Sequence, residues 1–152
     1  MKRFGDGLAT VLLVFWVGGL WAVGYLVAPT LFAQLSDRQL AGNLAGVMFT
    51  WVAYLGMAAG TYLLLHRLGS QGMASLKQGA FWMVFLMLLI SIGQQYGIQP
   101  IMQGLKDQAF PQAVMESVFR NRFAAWHGVS SVIYLVQSVL GLLLVWRNLV
   151  LR

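Results

Sequence analysis

Two histidines and four carboxylates are the groups with which this 152-residue chain could move protons or hold a metal ion. His127 follows Trp126 and precedes Ser130 and Ser131 by one helical turn, while Gly128 leaves the surface beside it open. Gln94 and Gln95 sit late in a third apolar run, Tyr25 late in the first, and Asn43 early in the second. If these runs are through-going helices, the seven polar residues fall at one depth. They can then form a cluster for a small polar ligand or a metal ion, because a polar group in lipid needs a partner or a water-filled cavity. The competing reading is ordinary interhelical hydrogen bonding plus an interfacial histidine.

Haem fits poorly, since His66 ends one run and His127 begins another at the opposite face, so one haem cannot take both. Eight methionines, among them Met83 and Met87 one turn apart and Met48 and Met57, raise copper(I). Methionine is also a filler of apolar helices, and the chain has no cysteine. No cofactor or metal is therefore assigned. Asp6, Asp37, Asp107 and Glu116 all lie outside the apolar runs. This leaves no Ser, His and carboxylate set for catalysis and no intramembrane carboxylate for ion-coupled transport, so the expectation is a non-enzyme.

The elements that must position these groups follow from hydropathy. Hydrophobic residues make up 59% and charged ones 9% of the chain, which inverts the balance of a water-soluble domain. Four runs free of charge for about twenty residues match a bilayer core crossed at about 1.5 Å per residue. The prediction is an all-α, four-helix integral membrane bundle, one domain over residues 1–152, with spans at about 8–28, 40–65, 79–101 and 123–146. Its first partner is the lipid bilayer. Met-Lys-Arg before the first run resembles a secretory signal, but the run is too long for one and lacks a small-x-small cleavage site, so it reads as a retained helix.

Pro29 is expected to close the first helix and Thr30 to Leu35 to connect it to the second. Ser36 with Gln39 predicts a capping box there, and His66, Arg67 and Gly69 predict the end of that helix. Pro100 is expected to break the third helix in its last turn. The charged stretch from Met102 to Arg122 must lie outside hydrocarbon. Within it a short interfacial helix is predicted at about 111–121, with Pro111 in its first turn and Val114, Met115, Val118 and Phe119 opposite Glu116 and Arg120. A repeat of two helices plus two is conceivable, although the halves show no clear residue-level match.

A net charge of +6 does not imply nucleic acid, because the ten Lys and Arg are scattered at the edges of the runs. Lys2, Arg3, Arg67, Lys77, Arg147 and Arg152 share one side with Asp6. Arg38, Lys106, Arg120 and Arg122 share the other with Asp37, Asp107 and Glu116. That bias places both termini in the cytoplasm, in a bacterial inner membrane. Most of the six tryptophans read as interfacial anchors. Gly42 and Gly46, Gly56 and Gly60, and Gly93 and Gly97 recur four apart and, with Gly128, predict close helix packing, inside the bundle or against a homo-oligomer or membrane-protein partner.

Three segments carry a resemblance: Gly19-Leu-Trp-Ala-Val-Gly-Tyr-Leu-Val-Ala-Pro-Thr-Leu-Phe32, Ala45-Gly-Val-Met-Phe49 and Trp126-His-Gly-Val-Ser-Ser-Val-Ile-Tyr-Leu135. Together the chain resembles the transmembrane protein 205-like family, small four-helix membrane proteins of bacteria and eukaryotes long grouped as a domain of unknown function. The likeness covers most of the chain, most specifically at His127, Gly128 and Ser130; Tyr134 stands where the family pattern has Asn, and Leu135 is kept. The resemblance implies a helical bundle in an inner or internal membrane with no established reaction. The functional expectation is a non-enzymatic scaffold or partner-binding membrane protein. The alternative is a small-solute or metal carrier using the cluster around His127, Ser130, Gln94 and Gln95.

Overall fold

The computed structural model describes the backbone of residues 2–150 and the side chains of residues 4–147. Lys2, Arg3 and Arg152, which enter the charge comparison, lie outside the described side chains. Among the described residues every regular element is helical: α1 (Lys2–Trp21), a π-helical stretch (Ala22–Val27), α2 (Ala28–Gln34), α3 (Arg38–Gln71), a 3₁₀ stretch (Gly72–Lys77), α4 (Gly79–Ile92), a second π-helical stretch (Gly93–Ile98), α5 (Gln99–Ala109), a 3₁₀ turn (Val114–Glu116) and α6 (Arg120–Val150). They join into four apolar spans, Phe4–Gln34, Arg38–Lys77, Gly79–Ala109 and Arg120–Arg147, each long and apolar enough to cross a membrane. Only 22–33% of their most apolar windows is buried inside the bundle, so lipid must cover the remainder. The chain is a multi-pass membrane protein.

Neither Pro29 nor Pro100 ends its helix. A proline inside an α-helix lacks the N–H for the carbonyl four residues back, and its ring collides with that carbonyl. Here the turn before each proline widens to π geometry, which moves the carbonyl aside and lets the helix continue. The first span therefore runs through Pro29 to Gln34, and the expected Thr30 to Leu35 connection is helix up to that point. The third span runs through Pro100 to Ala109. The two π stretches share one register: Ala22 and Gly93 stand seven residues before their prolines, Val27 and Ile98 two, and Tyr25 and Tyr96 four. In residue identities this correspondence between halves comes down to the tyrosine and the proline four residues after it, Tyr25 with Pro29 and Tyr96 with Pro100.

The second span is capped by Asp37 rather than Ser36. Asp37 Oδ1 accepts from the backbone N–H groups of Gln39 (2.8 Å) and Leu40 (3.0 Å). Its far end turns at Gly72, whose φ of 59° favours glycine, and the buried Ser75 hydroxyl holds the following stretch by donating to the Gly72 carbonyl at 2.7 Å. The predicted 111–121 helix is replaced by a turn with a cis Phe110–Pro111 peptide and the 3₁₀ turn. Val118 is 91% exposed there, so the four apolar residues form no common buried face.

The bundle is square. α1 packs on α3 and α6, and α4 packs on the same two helices, leaving α1 diagonal to α4 and α3 diagonal to α6. At its centre Trp16 is completely buried against Gly56 and Gly60, a position that corrects any reading of it as an interfacial anchor. A Cβ on Gly56 would collide with the indole, and one on Gly60 would lie 3.1 Å from it, so bare backbone here makes room for the largest core side chain. Val17, Met87 and Leu144 continue this core.

Candidate functional site

Near the middle of the third and fourth spans two hydrogen-bonded rungs cross the interface. Gln94, in the second π stretch, donates through Nε2 to the Ser130 carbonyl at 2.9 Å, and the Ser130 hydroxyl donates back to Gln94 Oε1 at 2.9 Å. Two turns along α6, the buried Gln137 donates through Nε2 to Ser91 Oγ at 2.8 Å and to the Met87 carbonyl at 3.2 Å. The Ser91 hydroxyl also donates to the Met87 carbonyl, at 3.1 Å. Such closed sets keep amide groups away from lipid at small net gain, about 0.6 kcal/mol per bond on average.

Between the rungs Tyr134 points the other way, into the first π stretch. Its hydroxyl donates to the Leu20 carbonyl at 2.5 Å, and its ring lies edge-on to Phe49 at 5.2 Å and to Tyr25 at 6.5 Å. Where the helix widens, a backbone carbonyl loses its α-type partner, and a side chain is the available replacement in lipid. Beside this, Trp21 Nε1 donates to the Ser138 carbonyl at 3.4 Å. Two buried polar atoms find no partner among the described residues: Trp16 Nε1 and Ser138 Oγ.

The seven residues singled out from sequence are thus divided. Gln94 and Ser130 pair, and Tyr25 reaches the same level through Tyr134. Gln95 is half-buried on the same π stretch. His127 is exposed and stacks on Phe123 with ring centroids 6.1 Å apart. Ser131 only donates back to the His127 carbonyl, at 2.8 Å. Asn43 accepts from Lys106 Nζ at 3.1 Å, nearer the end of the bundle. His66 stands at the other end, 2.9 Å from Asp6. Among the described residues no three His, Asp or Glu gather into a metal-holding group. Met87 is buried in the core, whereas Met48 is exposed.

Gln137 and Ser91 are absent from the residues singled out by sequence, and Tyr134 enters there only as the residue in place of the family's Asn. A glutamine inside the otherwise apolar run after Val132 was the available signal, since its amide must find partners at that depth. The glycines divide too. Gly56 and Gly60 receive Trp16, and Gly42 lies 3.6 Å from Phe32 by its Cβ position. Gly46, Gly93, Gly97 and Gly128 face open space.

The model of a family described as a domain of unknown function, DUF4149, matches residues 11–111. No match to a curated protein or to a solved structure was found. The matched region takes in both π stretches and stops short of α6, which carries Ser130, Tyr134 and Gln137.

Proposed function

We propose that this chain, which belongs to the DUF4149 family of domains of unknown function, is a non-enzymatic membrane protein that associates with other membrane components through its helices. The observation that carries the reading is the outer face of the third span. There Gly93 and Gly97, with Gly104 two further turns along, would meet nothing within 4 Å if each carried a Cβ. Lipid offers no hydrophobic drive for helix association, so close backbone approach at small residues is the usual route to it. The closed rungs between Gln94, Ser130, Ser91 and Gln137 support the same reading, because they spend their polar groups on one another. The full chain in mild detergent should migrate as a stable oligomer or partner complex, and Gly97→Leu should dissociate it. A solitary monomer that binds nothing overturns the reading.

A carrier for a small polar solute is the second reading, favoured by the unpartnered Ser138 Oγ and Trp16 Nε1 at mid-depth. It requires transport to fall when Gln94 is replaced by Ala, and unchanged uptake removes it. The same proposal places the chain in the transmembrane protein 205-like group, in a bacterial inner membrane with both termini cytoplasmic. The support for that orientation is the excess of Lys and Arg at the terminal end.

A further inference from the structure

At the end of the bundle where α1 begins and α6 ends, the described side chains set Arg67, Lys77 and Arg147 against one carboxylate, Asp6. Arg67, half-buried at the end of α3, donates through Nη1 to Gln78 Oε1 at 3.2 Å. Arg147, near the end of α6, places Nη1 3.4 Å from where a Cβ on Gly79 would stand. The two guanidinium groups thus meet consecutive residues, Gln78 and Gly79, where the third span begins. Glycine at 79 leaves the space Arg147 uses. The one described carboxylate at this end, Asp6, is engaged by His66 at 2.9 Å, and its side chain is 61% exposed. At the opposite end Asp37, Asp107 and Glu116 accompany the cations.

Holding two guanidinium groups together is unfavourable unless an anion lies between them, and the planar fork of arginine matches the oxygens of a phosphate. The depth is that of lipid headgroups: Trp82, 53% exposed, donates its indole N–H to the Leu76 carbonyl at 2.9 Å beside the same segment. Basic pockets between spans at the membrane surface are where phosphate-bearing headgroups bind.

The geometry points to a phosphate-binding site between Arg67 and Arg147 at the terminal end of the bundle, filled by the headgroup of an anionic phospholipid or by free phosphate. The site is independent of the scaffold reading, since it uses none of the glycines on the outer face of the third span.

The test uses the full chain in a zwitterionic detergent, titrated separately with phosphatidylglycerol, phosphatidylcholine and inorganic phosphate while thermal unfolding and retained lipid in native mass spectrometry are followed. Saturable stabilisation by phosphatidylglycerol over phosphatidylcholine is expected. Arg147→Gln and Arg67→Gln should each weaken it about tenfold or more, the scale of a lost hydrogen bond to a charged group. Arg120→Gln, which removes one charge at the opposite end, should leave it unchanged. Protection by inorganic phosphate alone, lost in the same variants, identifies the soluble ligand at the same site. If Arg67→Gln does not fold, Gly79→Leu crowds Arg147 without changing charge and should weaken binding alike. Equal affinity in wild type and Arg147→Gln, or no stabilisation by phosphatidylglycerol or inorganic phosphate beyond that given by phosphatidylcholine, overturns the site.

Discussion

The ring of Tyr134 fills the space that a Cβ on Gly24 would occupy, so helix α6 reads the first π stretch through a glycine with no room to spare. The hydroxyl of the same tyrosine takes the Leu20 carbonyl. One side chain therefore fixes both the spacing and the polar balance of the joint between the first and fourth spans.

Gly24→Ala should accordingly destabilise the protein by about 1–3 kcal/mol, the usual cost of overpacking. Tyr134→Phe, which keeps the ring, should cost about 0.6 kcal/mol and no more than about 1.7. Thermal unfolding of both variants, together with Gly24→Ala in a Tyr134→Ala background, checks this. Equal penalties for the alanine at 24 in both backgrounds would show that the two residues are not coupled.

Trp16 invites a second comparison. Its buried N–H has no partner among the described residues, so the ring, rather than the hydrogen-bonding group, holds the core. Trp16→Phe should be much better tolerated than Trp16→Ala, for which removal of a buried aromatic costs about 3–5 kcal/mol. Unfolding midpoints that rank the two variants alike would contradict this.

The chain has no cysteine, so engineered pairs report proximity cleanly. Gln94→Cys with Ser130→Cys should cross-link readily under mild oxidation, because these side chains already meet across the helices. Gln95→Cys with His127→Cys should cross-link poorly, since His127 turns outward onto Phe123. The opposite ranking would restore the compact cluster expected from sequence.

Reporter fusions at both chain ends and after Asp107 test the topology. The two ends should report one compartment and position 107 the other, as four spans require. Opposite compartments for the ends would remove the four-span reading.

What could be read in the sequence was whatever depends on composition over long windows. The four apolar runs and the break before α6 follow from where charge is tolerated, and they reappear in the structure, whereas the second helix runs past Gly69 to Gln71 and turns at Gly72. What escaped depends on local geometry. Pro29 and Pro100 look like terminators to any rule that assumes α-helical hydrogen bonding, and a widened turn defeats that rule. Trp16 has the residue type of an anchor, and only the neighbouring span, with Gly56 and Gly60, makes it a core residue. Gln94 and Ser130 were found because both are polar in apolar runs. Their separation from His127 was hidden because three residues on α6 leave side chains only about 60° apart around the axis, yet His127 stacks on Phe123 while Ser130 meets Gln94.

The paired π stretches carry a geometric consequence. Fitting one surplus residue into a turn swings everything beyond it by about 100° around the helix axis. Ahead of each π stretch the buried residues still recur at α-helical spacing, as Leu13, Trp16, Val17 and Leu20 and as Ala80, Val84, Met87 and Ser91, so the swing re-aims only the turns beyond Val27 and Ile98.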